Sequence, residues 1–326
     1  MKVANGIRNT FHEQHPFFER LAEEVEGKLG GQVVQRGWFF VHRLKELESF
    51  ALKVETGRVE HPDRMDDFFA CTIVVPTVAQ IDDAETLVRS IYKVVERRPN
   101  DKDRTHKKAS DFVFDDLRIY LQRQPSDTGR NADLDELVFE VQIKTILQHA
   151  WSIASHDLIY KTDAISWSKE RIAFQVKAML EHAEIAIAEA EQLAKSSVML
   201  VSDQNTEDTL TVVTALRSFW DAERLPTDIK RLAENVRGVL EACELQPKAL
   251  PDLLEDERNR IGFIPKDLAP YAFFVQALAH AKSLDLEKKL NSHKNRRIKI
   301  FVHDDMELPT WMKDDHKRIV RLKKNT

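Results

Sequence analysis

Apolar residues in the first 195 positions switch repeatedly between two spacings, and that switching limits what the chain can fold into. Phe17, Leu21, Val25 and Leu29 recur every four residues, which predicts an amphipathic helix over 16–29 ended by Gly30-Gly31. Trp38 to Val41 reads as a short strand and Arg43 to Val54 as a helix. Ala70 to Val75, ACTIVV, is a β-branched run closed by Pro76, the pattern of a buried strand. A helix follows over 81–95, and then an exposed charged loop from Glu96 to Lys108. Phe114 to Leu121 and Leu137 to Ile143 are further strands, joined by the loop-like PSDTGRNADLD. Helices over 144–160 and 167–194 complete a region of mixed α and β structure.

Lys195 to Glu207 loses periodicity and reads as a linker. Helical patterns then occupy 208–224, 227–244, 250–260 and 268–290, broken at Pro226, Pro247 and Pro265. The expected division is a first domain over 1–196, a linker over 197–207 and an all-α region over 208–326, in keeping with about 150 residues per domain. Phe219-Trp220, Tyr271 to Phe274 and Trp311 offer either aromatic surface or helical core. The basic end, Lys313 to Lys324, reads as a solvated tail. With Cys71 and Cys243 alone, neither a disulfide framework nor a cysteine zinc site can be built. The start lacks an apolar core of signal-peptide length and no apolar run spans a bilayer, so the expectation is a cytoplasmic protein with no membrane partner. A net charge of −5 argues against generic nucleic-acid binding while leaving room for local basic patches.

Only nine of 326 residues are glycine, and neither G-x-G-x-x-G nor G-x-x-x-x-G-K-[ST] occurs. If nucleotides bind, side chains and metal must hold the phosphates. Lys45, Ser49 and Lys53, spaced by four, would line one helical face, suited to a polyphosphate or simply solvated. Asp66-Asp67 leads into the buried strand, where a carboxylate can hold Mg²⁺ or merely make a turn. Glu140, Gln142 and Lys144 alternate with apolar residues, giving one strand a polar face. His149 and His156 share a helix face with Tyr160 and Lys161 beyond, but no third zinc ligand has recognisable spacing.

Together these features resemble a known family. EVQIKTILQHAWSIASHDLIYK, Glu140 to Lys161, is similar to the signature of RelA/SpoT synthetase domains, E-[VI]-Q-I-R-T followed by histidines and Y-K. Arg43-x-Lys45 with Ser49 and Lys53 resembles the family's ATP-binding R-x-K-x-x-x-S-x-x-x-K, and Asp67 its D-x-x-G-x-R. The resemblance covers about residues 15 to 195 and implies a nucleotidyltransferase-like α+β fold, a small mixed sheet with flanking helices. It implies transfer of pyrophosphate from ATP to a ribose 3′-hydroxyl, releasing AMP. In that scheme Asp67 and Glu140 are catalytic and hold Mg²⁺, and Arg43, Lys45, Ser49 and Lys53 bind ATP. Lys107, Lys108, Phe114, Arg118, Gln142, Lys144 and His149 would meet the acceptor.

Three departures from the family pattern matter. Ala70 and Thr72 stand where the family has glycine and arginine, with Arg58 a candidate substitute for that arginine. Val113 to Arg118 replaces the acceptor motif N-G-Y-x-S-L-H, and Lys144 replaces an arginine. The expected function is a Mg²⁺-dependent pyrophosphokinase making alarmone-type products from a guanosine nucleotide. The alternatives are a toxin or phage-defence effector acting on the tRNA 3′ CCA end, and a nucleotide-binding or interaction protein that has lost catalysis. The carboxy-terminal helices would then serve an antitoxin, a regulator or a homo-oligomer.

Overall fold

The computed structural model describes residues 2–59, 61–100, 117–125, 129, 131–155, 166–197, 199–292, 299–312 and 316–322. The chain divides into two compact units, Met1–Met199 and Leu200–Thr326.

The first unit opens with α1 (Asn5–Val25), whose Phe11, Phe18, Leu21, Ala22 and Val25 are buried. Leu21, Val25 and Leu29 of the series spaced by four are buried as expected, while its first member, Phe17, is exposed and Phe18 turns inward in its place. Nor do Gly30-Gly31 end the helix. The chain continues through a π-turn, Glu26–Gly30, into α2 (Gly31–Gln35), with Gly31 still right-handed. Gly30 serves close approach instead, because a Cβ there would lie 3.2 Å from the Phe40 ring. The left-handed Gly37 makes the actual turn. Next come β1 (Phe39–Leu44), α3 (Leu47–Glu55), β2 (Phe69–Val75), α4 (Ile81–Ile91) and β3 (Lys93–Arg98). Then follow β4 (Leu117–Gln122), β5 (Phe139–Thr145), α5 (Ile146–Ser155), α6 (Trp167–Ala188) and α7 (Ala190–Ala194).

Among the described residues the five strands form one mixed sheet in the order β1-β2-β5-β4-β3, with β2 and β5 parallel and the other pairs antiparallel. β3 corrects the sequence reading, which ran a helix to Val95 and a loop from Glu96. Its charged ends suit an edge strand, and pairing with β4 overrides the local helical pattern. α4 packs on β2 and β5, against the face carrying Cys71, Ile73, Ile119, Leu121, Val141 and Ile143. Phe68 is fully buried in an aromatic nest, stacked on Phe18 at 4.7 Å and tilted against Phe11 at 5.2 Å.

The second unit contains α8 (Gln204–Phe219), α9 (Ile229–Ala242), α10 (Leu250–Ile261), α11 (Pro270–His280) and α12 (Leu286–Asn291). α8 begins inside the segment read as linker, where the Asp203 side chain caps the Thr206 amide. Two short strands join the helices: β6 (Ile300–His303) pairs in parallel with β7 (Ile319–Leu322). Part of the basic end is therefore a strand, not a solvated tail. Trp220, Phe273 and Phe274 are core residues of this unit. Both cysteines are buried and unbonded, and no helix among the described residues is long and apolar enough to cross a membrane.

Two outcomes follow for the first unit. Phe68→Ala should lower its stability by about 3–5 kcal/mol in urea unfolding, the cost of emptying a filled aromatic site. Glu24 accepts from Lys28 at 2.6 Å and Arg123 at 3.0 Å, fastening α1 to the end of β4. Burial pushes its pKa up, but those hydrogen bonds and one from Asn131 outweigh it and hold the carboxyl below its ordinary value. The contribution is thus present above about pH 4.3, the unfolded value, and fades as pH falls through the lower folded value. Glu24→Gln should flatten that acid-side loss when stability is measured from pH 6 down to about pH 3.

Candidate functional site

Asp67 sits where the chain turns into β2, and the burial of the next residue, Phe68, fixes its place. The Lys45 amide donates to the Phe68 carbonyl at 2.8 Å, drawing the β1–α3 connection alongside. Lys45 Nζ and Lys53 Nζ both reach Asp67 Oδ2, at 2.8 and 2.9 Å. Burial raises the Asp67 pKa, but the two lysine hydrogen bonds and charges prevail and hold it below the usual carboxylate value. Asp67 Oδ1 is buried and has no hydrogen-bond partner. The expectation of one helical face for Lys45, Ser49 and Lys53 fails, because α3 begins only at Leu47. Arg43 lies on β1, Lys45 on the connection, and Ser49 and Lys53 on the helix.

Strand register sets the rest of the site. One cross-strand row reads Arg43, Ala70, Glu140, Tyr120, Glu96, and the next reads Val41, Thr72, Gln142, Arg118, Arg98. Side chains alternate along each strand, so both rows share the face opposite the apolar core. Glu140 is buried; it accepts from the Tyr120 hydroxyl at 3.1 Å and from the Gln142 amide. Arg98 Nη1 donates to the same hydroxyl at 3.2 Å, with its guanidinium 4.5 Å from the Tyr120 ring centre. Burial and the negative Glu140 push the Tyr120 pKa up to about 12, so the phenol keeps its proton near neutrality.

A cleft of about 500 Å³ opens over these rows, lined by Lys53, Arg58, Val59, His61, Arg64, Asp66, Asp67, Arg98, Arg118, Tyr120 and Glu140. It brings together six of the residues singled out from sequence: Lys53, Arg58, Asp66, Asp67, Arg118 and Glu140. Lys45 and Gln142 stand one hydrogen bond behind, on Asp67 and Glu140. Arg43 and Ser49 are exposed and outside the lining. Lys144 is buried two residues further along β5 than Gln142, paired in register with Val74. His149 lies on α5 with its pKa lowered by burial and by the charge of Lys144, and Nδ1 is buried without a partner. Lys107, Lys108, Phe114, His156, Tyr160 and Lys161 lie outside the described residues.

Sequence reasoning missed Tyr120, Arg98, Arg64 and His61. Alternation in LRIYLQ puts Tyr120 on the face of Arg118, a usable signal, whereas Arg98 was hidden by reading β3 as helix and loop.

The lining is chemically divided. Lys53, Arg58, Arg64 and Arg118 suit a polyanion, while Asp66, Asp67 and Glu140 supply hard oxygens. An unpartnered buried carboxylate oxygen in a cleft that Glu140 also lines fits a small dication whose other ligands are phosphate and water. Among the described residues no cluster of three or more His, Cys, Asp or Glu is gathered, so a metal here would depend on such outside ligands.

Residues 42–165 match the family model described as the region found in RelA / SpoT proteins. No curated protein sequence matches the chain. Among solved structures, small alarmone synthetase 1 from Bacillus subtilis is 15% identical over 57% of this chain and 98% of its own, with a TM-score of 0.46. That synthetase bound to its product pppGpp gives 17% identity over 58% of this chain and 100% of its own, with a TM-score of 0.46. A GTP pyrophosphokinase family protein from Streptococcus pneumoniae gives 16% identity over 59% and 97%, with a TM-score of 0.43. The family match takes in the second half of β1, all of β2 to β5 and the Asp66, Asp67 and Glu140 carboxylates of the cleft, so the chain carries a RelA/SpoT-type region over residues 42–165.

Proposed function

We propose that the first unit transfers the pyrophosphate of ATP to the ribose 3′-hydroxyl of a guanosine nucleotide in the Asp67–Glu140 cleft. The observation that carries this reading is that Asp67, with a buried oxygen lacking any protein partner, lines the same cationic cleft as Glu140. Asp67 and Glu140 would hold Mg²⁺, which when bound offsets phosphate charge and makes the β-phosphorus more electrophilic.

The chain's own residues do the rest. Lys53, Arg58 and Arg64 of the cleft lining would receive the triphosphate, and Arg43, exposed on β1 outside that lining, would pack on adenine as the family resemblance implies. Lys45 shares Asp67 Oδ2 with Lys53 and so keeps the carboxylate ionised when phosphate draws Lys53 away. Arg118 faces the acceptor's phosphates from β4. Glu140 accepts the 3′-hydroxyl proton as that oxygen bonds to the β-phosphorus, while the bond from the β-phosphorus to the bridging oxygen breaks and AMP leaves with it. Thr72 stands where the family arginine would enclose adenine, so the donor base is held on fewer sides.

The test is transfer of label from γ-³²P-ATP with Mg²⁺, offering GDP, GTP, ADP, ATP or deacylated tRNA. Label should appear on a guanine nucleotide, and both Asp67→Asn and Glu140→Gln should reduce it by at least about 100-fold with unchanged circular dichroism. Label on tRNA alone would move the acceptor to an RNA 3′ end. No label on any acceptor, with parent and Glu140→Gln alike, would sink the enzymatic reading.

A further inference from the structure

Glu140 is the end of a chain of side chains that crosses three strands. Glu96 on β3 grips Arg98 through two hydrogen bonds, Nε to Oε1 at 2.6 Å and Nη2 to Oε2 at 2.8 Å. Arg98 Nη1 then donates to the Tyr120 hydroxyl at 3.2 Å, and that hydroxyl donates to Glu140 Oε2 at 3.1 Å. The direction of the last bond is forced. Guanidinium has donors only, so the tyrosine oxygen must accept from Arg98 and its single proton must point at Glu140. The ring is also held from above by the Arg98 charge, 4.5 Å from its centre.

A bulge in β3 creates this arrangement. Val94 pairs with Leu121, but Glu96, not Val95, stands opposite Tyr120. The extra residue reverses the facing of everything after it. Arg97 goes to the core side, where it pairs with Glu85 on α4 at 3.0 Å, and Arg98 goes to the cleft. Without the bulge, Val95 and Arg97 would occupy the cleft face and Arg98 the helix face. Two adjacent arginines are thus sorted by one inserted valine, which is itself half-exposed.

We infer that Arg98 and Tyr120 are positioning residues for Glu140, and that the β3 bulge at Val95 is the device that delivers them. This rests on the proposed function, in which Glu140 holds the metal and accepts the proton. Gln142 holds Oε1 and Tyr120 holds Oε2, so the carboxylate has its orientation set before substrate arrives. Arg98 acts through the tyrosine hydroxyl, and the two should behave as one unit.

A double-mutant cycle on the full chain tests the unit. Tyr120→Phe keeps the ring and removes only the hydroxyl, so folding is preserved and the midpoint of thermal unfolding should stay within a few degrees. It should lower kcat for pyrophosphate transfer about tenfold with KM for ATP changed less than twofold. Arg98→Ala should have a similar effect in the parent and less than a twofold effect in the Tyr120→Phe background. A Tyr120→Phe variant as fast as the parent, or effects of the two substitutions that multiply, would overturn the inference. A second readout separates it from the function itself: calorimetric binding of a non-hydrolysable ATP analogue, with and without Mn²⁺. Tyr120→Phe should weaken the Mn²⁺-dependent part at least threefold and leave metal-free binding unchanged, even if no acceptor is ever labelled. Equal weakening with and without Mn²⁺ would mean that the hydroxyl does not act through Glu140.

Discussion

Phe68 and Asp67 are neighbours in sequence and opposites in chemistry, and the site depends on that adjacency. The buried ring is enclosed by Phe11, Phe18 and Phe50, and its removal to solvent would expose a large apolar surface. The backbone beside it is thereby anchored to the core, and the Asp67 carboxylate is carried at its edge. Two lysines then gather on one of its oxygens and leave the other buried and unsatisfied. A buried acceptor without a partner costs free energy, a cost consistent with a place kept for a ligand.

The sheet supplies the second half of the site by a different route. Its core face is apolar in every central strand, so alternation alone drives the intervening side chains to the other face. Register then decides which of them meet. Parallel pairing of β2 with β5 brings Ala70 beside Glu140, and antiparallel pairing of β4 with β5 brings Tyr120 to its other flank. Ala70 on one side offers Glu140 no polar partner, and the donating Tyr120 on the other gives it a fixed contact toward β4. The bulge in β3 extends the polar row to the sheet edge.

The second unit has its own core. Trp220, Phe273 and Phe274 close it, and a buried Glu257 is satisfied by Arg260 at 2.8 Å and Gln276 at 2.8 Å. Phe219, Tyr271 and Trp311 are partly buried and pack against the same core. The parallel pair β6–β7 lies at the end of this unit, where the amino-acid pattern showed only charge. A strand of four residues, Ile319–Leu322, is too short to announce itself by alternation.

Read alone, the amino-acid order determined the α+β character of the first unit, the buried strand β2, the strand character of β5 and the carboxylate that leads into β2. Those are local properties, since apolar spacing, β-branching and a carboxylate before a strand are visible in short windows. Asp67, Glu140 and Lys53 were therefore legible as candidates that the cleft brings together, whereas Arg118 was reached only through the family resemblance. Tertiary structure decided the rest. It placed Lys45 behind Asp67 instead of on a helix, made a strand of residues read as helix and loop, and left Arg43 and Ser49 outside the cleft lining. It also brought Arg98 and Tyr120 to Glu140. Those outcomes hang on register and on one inserted valine, and a one-residue shift in pairing moves every side chain to the other face. No short window of sequence carries that information, because the partner that sets the register lies tens of residues away.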